Sequence, residues 1–198
     1  MTGVRTSVCI VGAGPAGLML GLLLAKRGAD VLVLEGHESF DREYRGEVLQ
    51  PSTARLLDEL GLLDYILGEP HSLIDSGKVR LNGRDIAEIS FKHLIPEYPY
   101  AIWMPQPIFL RALHRKAQQL PSFSCWMGAK VSRLIEENGR IVGVSGVRHG
   151  GEPFEIRTDV VIGADGRYST IAKQGGFKAE YEHRDLELIW FTIEQPPG

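Results

Sequence analysis

The segment that most restricts this chain is Gly12-Ala13-Gly14-Pro15-Ala16-Gly17, a G-x-G-x-x-G pattern set between an apolar β-rich run and an apolar helical one. Among 23 glycines in 198 residues the spacing alone means little, and its flanks give it weight. Val8-Cys9-Ile10-Val11 reads as a buried parallel strand, and Leu18 to Arg27 as a Leu/Ala-rich helix that Gly28 terminates. Val31-Leu32-Val33-Leu34 is a second buried strand, running into Glu35. Strand, glycine turn, helix and strand within about 30 residues make a βαβ unit, and with it a parallel sheet covered on both faces.

That arrangement has a specific chemistry. Gly12 makes the tight turn, Gly14 lets the backbone approach a diphosphate, and Gly17 lets helix and strand pack closely. Ala13, Pro15 and Ala16 complete a loop whose N–H groups, with the positive end of the helix dipole, face the phosphates; Pro15 sits in the first turn, where no donor is missed. Glu35, 18 residues after Gly17, is placed to accept hydrogen bonds from the adenosine ribose hydroxyls. Its charge would repel a 2′-phosphate, so this pocket suits NAD or FAD better than NADP.

The formal charge of −3 gives no general attraction for nucleic acid or an anionic membrane, so any phosphate binding must be local. The start of the chain lacks a signal-peptide layout, and the apolar run Leu18 to Ala25 is far below the roughly 20 residues that span a bilayer. Cys9 and Cys125 lie far apart without metal spacing, which fits a reduced, cytoplasmic setting. His37, His71, His93, His114, His149 and His183 show no metal pattern and read as surface or satisfied residues; no G-x-S-x-G elbow exists. No metal site is expected, and no side chain is singled out as catalytic.

Further along, residues 36–50 read as irregular. Ser52 is expected to cap a helix carrying Leu56, Leu57, Leu60 and Leu63. Ile74 to Leu81 and Ile86 to Phe91 read as strands joined across Asn82-Gly83-Arg84-Asp85. A helix over Pro107 to Leu120 is followed by strands over Phe123 to Met127, Lys130 to Glu136, Ile141 to Val147, Phe154 to Arg157 and the buried Val160 to Ile162. The last runs into Gly163-Ala164-Asp165-Gly166, putting Asp165 at a strand's carboxyl end, where open α/β sheets bind ligands. Leu186 to Ile193 is strand-like.

Three segments together, Gly12 to Glu35, Arg45-Gly46-Glu47-Val48-Leu49-Gln50-Pro51 and Gly163-Ala164-Asp165-Gly166-Arg167-Tyr168-Ser169, resemble the class A flavoprotein monooxygenases, the para-hydroxybenzoate-hydroxylase-like enzymes. The resemblance runs over nearly the whole chain. It implies FAD as the bound cofactor, NADPH or NADH as co-substrate, and oxygen transfer to a small aromatic or polyketide-like molecule. Arg45 matches an arginine contacting the ribityl and diphosphate of FAD, and a guanidinium offers phosphate oxygens a planar fork. Asp165 and Gly166 match a motif beside the flavin that also serves the nicotinamide nucleotide. Where the family often carries an arginine, in D-G-x-x-S-x-x-R, this chain has Ala172 beside Lys173, a departure that bears on the nicotinamide side. Gln106 resembles a glutamine on the flavin side of the site, and Arg111, on the same helix, a cofactor-contacting arginine of some members.

The implied fold is α/β: a Rossmann-like FAD/NAD(P)-binding domain with a β-meander and the beginning of an antiparallel substrate-domain sheet. Residues 1–72 and 106–178 are expected to form the FAD-binding domain, with 73–105 as inserted substrate-domain strands and 179–198 as the start of the remaining substrate domain. A further Gly-Asp fingerprint of the family lies beyond this length, so the chain is expected to be the N-terminal part of a longer enzyme, with a homo-oligomer among the expected assemblies. Other readings remain open: a flavin halogenase, an epoxidase or an isoprenoid reductase of the same fold, or a non-catalytic nucleotide-binding fragment.

Overall fold

The computed structural model describes residues 4–41, 48–178 and 180. The first stretch holds β1 (Val4–Val11), α1 (Pro15–Lys26) and β2 (Val31–Leu34). Next come β3 (Val48–Leu49), α2 (Pro51–Glu59), α3 (Leu63–Leu67), β4 (Ser72–Ile74), β5 (Ser76–Leu81), β6 (Arg84–Ser90), β7 (Ala101–Trp103) and α4 (Gln106–Ala117). The chain continues through β8 (Phe123–Trp126), β9 (Lys130–Glu137), β10 (Arg140–Val147), β11 (Pro153–Gly163) and α5 (Thr170–Gln174). Two compact units result, one of 4–41 with 113–178 and one of 48–112. Packing thus divides the chain at 41 and 112, whereas the sequence reading divides it at 72 and 105 by expected cofactor and substrate roles.

The first unit is built on a six-stranded sheet ordered β8-β2-β1-β11-β10-β9. β8, β2, β1 and β11 run parallel, an order equivalent to the 3-2-1-4 of a doubly wound fold, and β9, β10 and β11 form the antiparallel meander. Alternation sorts the side chains by face. Cys9, Val11, Leu32 and Leu34 pack with Val131, Val144 and Ile156 on one face. Ile10 and Val33 meet α1 on the other, where a Cβ on Gly21 would stand only 3.0 Å from Phe123 and Val33. Leu18 and Leu22 of α1 are essentially fully buried, each worth about 1.5–3 kcal/mol. Burial pushes the Cys9 thiol up to about 12, as it does Cys125, where the charge of Glu35 adds to the effect.

Several elements depart from the sequence reading. The runs expected at Phe154 to Arg157 and Val160 to Ile162 are one strand, β11, paired with β1 from Ile156 to Gly163. Thr158 keeps the strand continuous: its hydroxyl is buried 3.0 Å from the Ser7 carbonyl, while Asp159 pairs with Arg5 at 3.0 Å. Val160, read as buried, is 49% exposed.

In the second unit, β7 lies between β3 and β4 in a small antiparallel sheet, and β5 and β6 form a hairpin. The single strand expected from Ile74 is thus split at Asp75. The turn is only Asn82-Gly83, with φ of 49° and 77°, the two positive values a type I′ turn needs. Pro51 takes the first helical position of α2, so Gln50 stands at the N-cap and Ser52 lies inside the helix without capping it. The expected leucine helix is two short ones, parted at Gly61 with φ 65°. Leu57, Leu62 and Ile66 are buried, and Leu56 is 47% exposed.

His114 also departs from its expected surface or satisfied state. Its ring lies between Phe40 and Phe123, with centroids 5.3 and 6.3 Å away. Its Nε2 is buried without a hydrogen-bond partner among the described residues. Desolvation therefore lowers its pKa. The folded state then binds fewer protons than the unfolded one, so its contribution to stability is present above about pH 6.5 and is lost as pH falls below it. Between pH 7.5 and 5.5 the melting temperature of the wild type is expected to fall by about 3 °C more than that of His114→Phe, which fills the same space without titrating. Parallel curves for the two proteins would remove this role.

Candidate functional site

The glycine turn forms where β1 leaves the sheet. Gly12 has φ 106°, and a Cβ there would lie 2.3 Å from the Ala164 carbonyl oxygen, so conformation and space both demand glycine. A Cβ on Gly17 would stand 1.9 Å from the Gly12 carbonyl oxygen, whereas one on Gly14 meets nothing within 4 Å. Two of the glycines are therefore fixed by packing, and the third faces open space. Pro15 opens α1, whose first turn has no acidic residue and no side-chain cap. The N–H groups of Ala16 and Gly17, which precede the first intrahelical bond from Leu18 N to Gly14 O at 3.0 Å, lie at this end of the helix with the positive end of its dipole.

Glu35 is 4% exposed. Its backbone is pinned on both sides, its N–H donating to Trp126 O at 2.9 Å and its carbonyl accepting from Ala129 N at 2.7 Å. The carboxylate bends back to the turn: Oε2 accepts from Ala13 N at 2.8 Å, and Oε1 accepts from His37 N at 3.0 Å. The N–H of Ala13, expected to face phosphate, is thus spent on Glu35. His37 Nδ1 lies 2.6 Å from the same Oε1. Sequence reasoning missed His37, whose only signal was its place two residues beyond Glu35.

Asp165 and Gly166, distant in sequence, arrive beside the turn because Val11 pairs with Gly163. The Ala164 N–H donates to Val11 O at 2.7 Å, and the Asp165 backbone nitrogen is within 2.9 Å of the Cβ position of Gly12. Gly166 takes φ 81°. The Asp165 carboxylate is engaged with the start of α5. Ser169 donates to Oδ1 at 2.5 Å, and the N–H groups of Thr170 and Ile171 donate to Oδ2 at 2.6 and 3.2 Å. Ser169 in turn caps α5, accepting from Ala172 N at 2.8 Å. Asp165 therefore straps α5 to the loop that supports Gly12. Asp165→Ala is expected to cost about 1–3 kcal/mol, read from the urea midpoint; an unchanged midpoint would remove the strap.

Gln106 is the first residue of α4 and Arg111 lies one turn and a half along it, both half-buried in the second unit. Arg45 lies outside the described residues. A cleft of about 390 Å³ beside Arg5, Arg140 and Arg157 opens at the other end of β1. It is no rival for a phosphate: Arg5 is paired with Asp159 and Arg157 with Glu137, and open α/β sheets bind ligands at their carboxyl ends.

The family model described as FAD binding domain matches residues 5–197. A 6-methylpretetramide 4-monooxygenase of Streptomyces rimosus is 37% identical over 195 residues, covering 98% of this chain and 46% of that protein. Among solved structures, p-nitrophenol 4-monooxygenase from Pseudomonas putida DLL-E4 matches with a TM-score of 0.79 at 27% identity, over 88% of this chain and 44% of its own. Anhydrotetracycline hydroxylase from Streptomyces rimosus matches with a TM-score of 0.73 at 29% identity, over 87% and 34%. The chain spans less than half the length of these relatives. A parallel sheet ending in a glycine turn, a buried carboxylate folded back onto that turn, and a match over nearly the whole length agree: the chain belongs to the FAD binding domain family.

Proposed function

We propose that this chain is the FAD-holding part of a monooxygenase that uses NADPH or NADH and oxygen to hydroxylate an aromatic or polyketide-like substrate. The reading is supported above all by one convergence. The buried Glu35 carboxylate meets the Gly12–Gly17 turn at Ala13 N, 2.8 Å away, and the Ala164–Asp165 backbone closes the same turn from behind. The substrate class is supported by the substrates named for the similar 6-methylpretetramide and p-nitrophenol monooxygenases.

In this reading the first turn of α1 and the open side of Gly14 receive the diphosphate, with Arg45 supplying a guanidinium fork. Glu35 takes the adenosine ribose. Gly166 and the Asp165 loop border the flavin side, with Gln106 and Arg111 as further contacts. Bound there, the flavin supplies the redox and oxygen-transfer chemistry. The chain itself positions the dinucleotide and excludes water around the diphosphate, where the fixed N–H dipoles act most strongly. Residues 73–105 and 179–198 are assigned to the substrate-covering part. No described helix is long and apolar enough to cross a membrane. Cys9 and Cys125 are free thiols, which suits the reducing cytoplasm in which we place the enzyme.

The test has two arms. The purified chain titrated with FAD should quench flavin fluorescence and shift the amide resonances of Gly12 to Gly17. The longer enzyme should consume oxygen and oxidise NADPH or NADH faster when a phenolic or polyketide substrate is added. Flavin bound without resonance shifts at the turn would refute the site, and substrate-independent turnover would refute the hydroxylase.

A further inference from the structure

The tripeptide Asn-Gly-Arg turns two hairpins in this chain, at Asn82-Gly83-Arg84 and at Asn138-Gly139-Arg140. Their backbones are nearly the same: φ is 49° and 77° in the first pair, 52° and 75° in the second. Each is a two-residue type I′ turn, closed by the pairing of Leu81 with Arg84 and of Glu137 with Arg140. A Cβ on Gly83 or Gly139 would meet nothing within 4 Å.

What differs is what holds each hairpin shut. Among the described residues β5 and β6 pair only with each other, and a lone two-stranded hairpin is marginal in water. Burial adds little, because Val79, Leu81, Ile86 and Ile89 are all at least 40% exposed. The ion pairs of Asp85 with Arg80 and Lys78 lie in solvent, where such pairs are weak. β9 and β10 belong instead to the six-stranded sheet, where β10 is also paired with β11. Val131 and Val144 of these strands are buried, and Glu137 beside the turn meets Arg157 of β11 at 2.6 Å.

An Asn-Gly pair can react with itself. The glycine nitrogen, unshielded by a Cβ, attacks the asparagine Cγ and gives up its proton. The N–Cγ bond forms, the Cγ–Nδ2 bond breaks, and ammonia leaves a five-membered imide behind. Water opens that imide at either carbonyl, giving aspartate or isoaspartate. The sum is amide plus water to carboxylic acid plus ammonia, with nothing oxidised or reduced. In a type I′ turn the asparagine ψ is about 30°, which sets its Cβ nearly opposite the glycine nitrogen across the Cα–C bond. The ring cannot close from there. Closure needs a rotation of roughly 150° about that bond, which breaks the turn, so the rate follows the open fraction of each hairpin.

We propose that Asn82 is a site of spontaneous deamidation in the folded chain, and that Asn138, in the same tripeptide and turn, is protected by its sheet. The two products differ in consequence. Aspartate keeps the turn, since Asp-Gly also favours type I′. Isoaspartate adds a methylene to the backbone, and a two-residue turn no longer fits between β5 and β6.

The test incubates the chain in mildly alkaline buffer, with and without strong urea, and follows both peptides by mass spectrometry. In the folded chain Asn82 should convert at least about tenfold faster than Asn138, because a turn anchored in a larger sheet opens far less often. In urea the two should agree within about threefold, since both tripeptides then lie in open chain. Equal rates in the folded chain, or a faster Asn138, would overturn the proposal. So would a folded Asn82 that stays intact while it converts in urea. A tenfold difference persisting in urea would assign the effect to flanking sequence and overturn it as well.

Discussion

Alanine at Gly17 is expected to strip the fold of a large part of its stability, while alanine at Gly14, three residues away, is expected to leave it stable and unable to hold its dinucleotide tightly. The contrast follows from what a single methyl group meets. At Gly17 the new Cβ would lie 1.9 Å from the Gly12 carbonyl oxygen. That atom is backbone in a turn already pinned by Gly12 N to Leu34 O at 2.7 Å, so it has little room to give way. Overpacking against backbone costs about 3 kcal/mol or more, a large fraction of the stability of a domain this size. At Gly14 nothing lies within 4 Å and φ is −72°, so the fold loses at most about 1 kcal/mol, the difference between glycine and alanine at an N-cap. The proposed diphosphate occupies that space. FAD affinity of Gly14→Ala should therefore fall at least about tenfold, or 1.4 kcal/mol. Urea melts and FAD titrations on the two variants read the two effects separately. If Gly14→Ala is as unstable as Gly17→Ala, or binds FAD like wild type, the glycines do not divide between packing and ligand.

What could be read from sequence was what lies in local order. The βαβ unit was legible because strand, turn and helix each sit within one short window of apolar periodicity, and β2 was found at its observed bounds, Val31–Leu34. Asp165 and Gly12 were legible only as two motifs. Their apposition depends on β11 running unbroken through Thr158 and Asp159, and those polar residues look like a break until Ser7 and Arg5 are seen as their partners. β3 and β7, of two and three residues, are too short for any periodicity to announce, and their pairing joins segments far apart in sequence. The Glu35 carboxylate was legible as a ribose acceptor, but its grip on Ala13 N was not, since a helix-entry amide gives no sign of what it donates to. His114 was misjudged for a similar reason. Its neighbours on α4 are Arg115 and Lys116, which suggest water, while Phe40 and Phe123, which bury it, come from other elements.

Removing the charge of Glu35 is expected to change both stability and nucleotide choice, and the isosteric Glu35→Gln separates those effects from shape. In a side chain only 5% exposed, the amide has one acceptor oxygen for two backbone donors, Ala13 N and His37 N. Whichever way it is turned, one of those N–H groups faces the NH2 and loses its partner. A buried donor left in that state costs about 1–3 kcal/mol, so the urea midpoint should fall although no volume is lost. The His37 ring can soften the change by switching tautomer to accept from the new amide; the backbone N–H cannot. The second effect concerns the ligand. A carboxylate beside the ribose repels a 2′-phosphate, and the wild type should prefer ADP to adenosine 2′-phosphate 5′-diphosphate in competition against FAD. With the charge gone, that preference should shrink about tenfold, 1.4 kcal/mol, while affinity for ADP itself falls because one acceptor has become a donor. Raising ionic strength should narrow the wild-type preference and leave the variant's nearly unchanged, as screening acts only where a charge remains. A Glu35→Gln protein with unaltered stability and undiminished rejection of the 2′-phosphate would put the adenosine elsewhere and leave Glu35 a purely internal brace for the turn.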